Sequence, residues 1–133
     1  MGLAPKAIGE ISEAHILLCA VERGFAPSIP FGNNQRYDLV LDDGAKLFRV
    51  QSKTGWVRGG CVVFSAASKN GFTHERKDYR GEIDFFLVYC PEFKKVYKVP
   101  VDVAPKNEMR LRVDHLKRKA PKTTIHWAKD FEF

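Results

Sequence analysis

The sequence predicts an α/β fold in which a mixed central sheet is flanked by one N-terminal helix. Three observations carry that expectation. Apolar residues recur at helical spacing from Ile8 to Arg23, an Asp-Gly turn separates two strand-like runs, and Ile83 to Cys90 is apolar on both parities.

In the first segment Ile8, Ile11, His15 through its ring, Leu18 and Val21, with Ala14 and Leu17 beside them, fall three to four residues apart, which predicts one inward helix face. Gly24 supplies the stop. A short extended piece over Phe25 to Phe31 is broken by Pro27 and Pro30 and ends at the turn-forming Gly32-Asn33-Asn34.

Arg36 to Leu41 and Lys46 to Lys53 read as two strands joined by Asp42-Asp43-Gly44, an antiparallel hairpin. Ile83 to Cys90 reads as a strand covered on both faces, in the middle of the sheet. Further strands are expected at Cys61 to Ala66, Lys95 to Val101 and Met109 to Val113. Ser68 to Arg80, polar and basic, reads as a surface loop.

At 133 residues the chain fits one domain. No apolar run approaches the roughly 20 residues of a membrane helix, and Met1 to Ala7 lacks the pattern of a secretory leader. A cytoplasmic protein is expected. Cys19, Cys61 and Cys90 are odd in number and widely spaced, which suggests buried thiols and neither a disulfide framework nor a metal knuckle. The formal charge of +6 and a pI near 9.3 permit a polyanionic partner without specifying one.

Strand parity narrows the chemistry. Tyr37, Leu39 and Leu41 should face one side of the first strand and Asp38 and Val40 the other, while Gln51 and Lys53 share a face of the second. Paired in register, Asp38, Gln51 and Lys53 can converge. A carboxylate, an amide oxygen and a lysine suit metal-assisted phosphodiester hydrolysis. The carboxylate holds a hard cation such as Mg2+, and the lysine orients water or neutralises developing charge.

These residues resemble a known family. Gly9-x-x-x-Glu13, Arg36-Tyr37-Asp38 and Gln51-Ser52-Lys53 look like the PD-(D/E)XK nuclease signature, with similarity to the small group I intron homing endonucleases of that fold. The helical Gly9-x-x-x-Glu13 is also similar to archaeal-type Holliday junction resolvases. The resemblance implies a restriction-endonuclease-like core over about residues 7–113 of a single domain, 1–133, with a basic extension over 114–133. It implies Glu13, Asp38, Gln51 and Lys53 as catalytic residues and Glu13, Asp38 and Gln51 as ligands of Mg2+, with Mn2+ able to substitute. Gln51 stands where most members carry an acid, so the site lacks one negative charge. Glu10, three residues before Glu13, competes for the helical carboxylate.

DNA is the expected substrate, cut by a homo-oligomer, dimer or tetramer, because a duplex needs two cuts and one chain offers one site. A site-specific homing endonuclease comes first. A junction resolvase and a DNA-binding domain without catalysis are the alternatives. Arg36, Trp56, Arg58, Lys69, Arg76, Lys77, Lys117, Arg118 and Lys119 are candidate DNA contacts. Asp84, inside the most apolar strand, reads either as an acid supporting the site or as a structural hydrogen-bond partner. Trp127, Phe131 and Phe133 read as caps on a core or an oligomer interface.

Overall fold

The computed structural model describes residues 2–69, 72–114 and 124–133, for Lys69 the backbone alone. Helix α1 runs over Pro5–Glu22, with proline in its first turn, where the missing N–H has no intrahelical partner to lose. Gly24, at φ +88°, ends it.

Strands β1 (Ala26–Ser28), β2 (Leu39–Asp42) and β3 (Leu47–Thr54) follow, then β4 (Trp56–Arg58) and β5 (Cys61–Ser65). After these come β6 (Ala67–Lys69), β7 (Arg76–Asp78), β8 (Phe85–Cys90), β9 (Lys95–Pro100) and β10 (Glu108–Arg112). The main sheet has the order β1-β2-β3-β8-β9. Its β3–β8 pair is parallel and the rest antiparallel, so the sheet is mixed as expected. Every residue of β8 is buried, as predicted for a strand covered on both faces.

Four expectations need correction. The inward stripe of α1 is Ser12, Ile16 and Ala20, while Ile11, Leu18 and Val21 lie largely in solvent. Small residues let the helix sit close to β3, and the buried Ser12 hydroxyl is satisfied by Thr54 at 2.6 Å. Ser68 to Arg80 is no plain loop, because β6 and β7 pair antiparallel within it. Strand β4 was not foreseen, since only Gly55 separates it from β3 and the chain changes sheet there. Cys19 is only half-buried, whereas Cys61 and Cys90 are buried, and all three are free.

Two cores hold the layers together. Ile16 and Ala20 pack with Leu39, Leu41, Val50 and Leu87 on the helix side of the main sheet. On the other side Phe86, Val88 and Val99 pack against Val62, Phe64, Met109 and Leu111 of a second sheet, ordered β10-β5-β4. The C-terminal residues join both, with Phe131 packed on the second core and Phe133 on the first. These two aromatics therefore cap the core.

Gly55 lets the chain pass from β3 into β4. A Cβ there would lie 2.7 Å from Val62 Cγ1 and 2.9 Å from Val88 Cγ1, closer than a side chain tolerates. That crossing places the end of β3, with Lys53, at the seam between the two sheets.

Candidate active site

Asp38 sits one residue before β2, where pairing with β3 stops being regular. Its N–H donates to Val50 O at 2.8 Å, and its Oδ2 accepts the Ser52 N–H at 3.0 Å. The carboxylate thus takes the place of the strand carbonyl that Ser52 would otherwise bond, which fixes it beside the Gln51-Ser52-Lys53 segment. Burial pushes the Asp38 carboxyl above the usual aspartate range, against the lowering effect of the Ser52 N–H and of the Lys53 charge.

Strand parity holds for most of this segment. Leu39, Leu41 and Val50 belong to the helix-side core, so Gln51 and Lys53 project to the other face of β3. Tyr37 departs from the expectation, because it lies before the strand begins and packs against the opposite core from Leu39.

Lys53 is half-buried, and its Nζ lies 3.4 Å from Tyr79 Oη and 3.5 Å from Ala67 O, with the ammonium 5.0 Å from the Tyr79 ring centroid. Burial holds this ammonium below the ordinary lysine range. The Asp38 charge works the other way, and Arg36 adds to the lowering. Each of Asp38 and Lys53 senses the other's charge, so the two ends of the predicted motif come together. Gln51 directs its amide nitrogen toward Ser52 O, a long 3.5 Å.

Glu13 is exposed over the residue as a whole, yet it lines a cleft of about 350 Å³ that Asp38 also lines. Partial burial raises its pKa, followed by the charges of Asp38 and Glu10. Of the two helical acids, Glu13 is the one that lines this cleft with Asp38.

These donors fit a hard divalent cation. Two carboxylates, both desolvated enough to resist ionisation and one raised by the other's charge, form a pair that a bound cation would relieve. Among the described residues no three of His, Cys, Asp and Glu gather at one point. Gln51, the neutral member of the predicted set, adjoins the Ser52 that Asp38 bonds but is not among the residues lining the cleft.

Sequence reasoning missed the role of Tyr79. Its buried ring is approached by both cations, the Arg36 guanidinium 4.1 Å and the Lys53 ammonium 5.0 Å from the ring centroid. It falls within the segment expected to be a surface loop, and the pairing of β6 with β7 is what brings it inward. Arg36 is tied into the protein through Glu82 at 3.1 Å, Asp78 O at 2.7 Å and Ser68 Oγ. Asp84 Oδ2 accepts the Arg49 N–H at 2.7 Å, the structural hydrogen-bonding role.

Trp56, Arg58 and Arg76 line a second, larger groove of about 620 Å³ that does not contain the two carboxylates. Lys77 is exposed and pairs with Glu82 at 3.3 Å. The Lys69 backbone pairs with Arg76. Lys117, Arg118 and Lys119 lie outside the described residues.

A family model described as PD-(D/E)XK endonuclease matches residues 3–133. The chain belongs to the PD-(D/E)XK endonuclease family. Its match runs through the basic extension, consistent with the packing of residues 124–133 on the core. A solved structure titled as a bacterial homing endonuclease, I-Ssp6803I, superposes with a TM-score of 0.78 at 26% identity. The alignment covers 98% of this chain and 89% of that one. The nuclease fold and the resemblance to homing endonucleases are thus borne out. Comparison with curated proteins returned no match. No helix among the described residues is long and apolar enough to cross a membrane.

Proposed function

We propose that this PD-(D/E)XK nuclease is a Mg2+-dependent, site-specific DNA endonuclease of the homing type, acting as a homo-oligomer. The observation that carries the reading is the grouping of Asp38, Lys53 and Glu13, each of which has its ionisation altered by burial and by a charge in the same group.

Glu13, Asp38 and Gln51 would hold the metal, Mg2+ or Mn2+. When bound, it polarises a phosphoryl oxygen and makes water more acidic. The Ser52 N–H keeps Asp38 Oδ2 in place, so the carboxylate needs little rearrangement to serve. Lys53, held by Tyr79 and Ala67 O, offers an ammonium to a non-bridging phosphate oxygen as charge builds up there. Its depressed pKa also lets it give up and recover a proton more readily than a surface lysine.

The homing reading rests on the similarity to I-Ssp6803I and on there being no third acid at the site among the described residues, for which Gln51 is the substitute in the family resemblance. It is tested by incubating the protein with Mg2+ and either linear genomic DNA or a mobile four-way junction. Discrete fragments from linear DNA are expected. Paired nicks confined to the branch point would instead establish a junction resolvase, and binding without cutting would leave a non-catalytic domain. Sedimentation of the active species is expected to give a dimer or tetramer, and a monomer active on both strands would contradict the assembly.

A further inference from the structure

The second sheet has an outer face that the core does not use. Strand register puts Trp56, Val63 and Arg110 in one row across β4, β5 and β10, and Arg58, Cys61 and Arg112 in the next. Val57, Val62, Phe64, Met109 and Leu111 point the other way, into the core. On this face the flanking strands β4 and β10 carry one tryptophan and three arginines, while Val63 and Cys61 of the central strand between them are buried.

At one corner of this face, at the start of the edge strand β10, stands Glu108. It pairs with Arg58 across the sheet and with Arg110 on its own strand at 3.5 Å, while the three side chains stay 41–60% exposed. The 620 Å³ groove is lined from this face by Trp56, Arg58 and Glu108 and from the β6–β7 hairpin by Arg76. Thr54 and Ala67 line it too, and Ala67 O is a partner of Lys53, so the groove abuts the candidate active site.

We infer that this outer face reads base edges in the major groove of the DNA, with Arg58 and Arg110 as its specificity-determining residues. The inference rests on the proposed DNA endonuclease function and adds where sequence is recognised. Glu108 decides between base edges and phosphates. A surface that follows the phosphate backbone would set this carboxylate against like charge, whereas on a base-reading surface it holds two guanidinium forks in fixed planes. A planar guanidinium matches guanine O6 and N7, and a carboxylate accepts from the cytosine amino group. The outer strands lie about 10 Å apart by ordinary strand spacing, against a major groove about 12 Å wide.

The test is selection of bound duplexes from a library with a randomised central segment, using the full chain with Ca2+ in place of Mg2+. The wild type should enrich a motif. Arg58→Ala and Arg110→Ala should each flatten one or two of its positions and weaken binding to the enriched duplex by about 5-fold to 150-fold. Arg110→Lys keeps the charge and loses the fork, so it should flatten the same position as Arg110→Ala. The salt dependence of binding should stay that of the wild type.

A motif unchanged in all three variants would overturn the inference. So would a wild type that enriches none, or an Arg110→Lys variant that behaves as wild type while Arg110→Ala loses about one counterion, the mark of a phosphate contact. Cleavage of bulk DNA by the wild type in Mg2+, measured alongside, keeps the two claims apart. Cutting without a motif sinks base reading alone, and a motif without cutting sinks the nuclease reading alone.

Discussion

The Asp38 carboxylate accepts the backbone N–H of Ser52 at 3.0 Å, so the acid at the start of β2 is bonded to the residue between Gln51 and Lys53. The contact ties two strands together and, in the proposed function, positions a metal ligand, and two substitutions separate those roles. Asp38→Asn keeps an oxygen for Ser52 and removes a desolvated charge, so the metal-free protein should unfold at an unchanged or higher temperature while losing activity. Asp38→Ala leaves the part-buried N–H unpaired and should cost about 1–3 kcal/mol. Thermal unfolding in EDTA checks both. Equal destabilisation by the two would mean that the Ser52 contact contributes nothing.

Glu13 and Asp38 predict a pH dependence of stability. Both carboxyls are held above their ordinary values of 4.5 and 3.8, so the folded chain binds their protons more tightly than the unfolded chain does. Their contribution to stability is complete below those ordinary values and is lost as pH rises through the folded ones. Glu13→Gln should therefore stabilise the metal-free protein at neutral pH, and the gain should shrink toward zero near about pH 4. Urea unfolding at both pH values measures it, and a gain independent of pH would contradict the coupling.

Gly55 gives a packing prediction. Gly55→Ala drives a methyl into Val62 and Val88 at the crossing between sheets, with an expected cost of about 1–3 kcal/mol. Because Lys53 lies two residues upstream, activity should fall further than the loss of folded protein accounts for. Activity per folded molecule equal to wild type would show that the seam does not position Lys53.

The sequence made the hairpin around Asp43 and Gly44 and the doubly covered β8 legible because both obey local rules, turn chemistry and strand parity. The helix face was misread because packing distance mattered more than hydrophobicity. Ser12 faces inward through a partner, Thr54, that lies in another element. Asp38, Gln51 and Lys53 were visible as a motif of residue types at set spacing. Tyr79 was not, since its place beside Lys53 depends on the β6–β7 pairing, whereas the Gly9-x-x-x-Glu13 spacing already favoured Glu13 over Glu10, and Glu13 is the one that shares a cleft with Asp38.

Lys53 carries the most direct test. Lys53→Met keeps most of the stem and removes an ammonium that burial already disfavours, so the fold should be retained and DNA binding should persist. DNA cleavage in Mg2+ is the measurement, comparing wild type with Lys53→Met at equal folded concentration. The wild type should cut, and the variant should be slower by about 100-fold to 1000-fold, the scale expected for losing one charge-stabilising donor. Equal rates, or no cutting by the wild type of any DNA that it binds, would contradict the catalytic assignment.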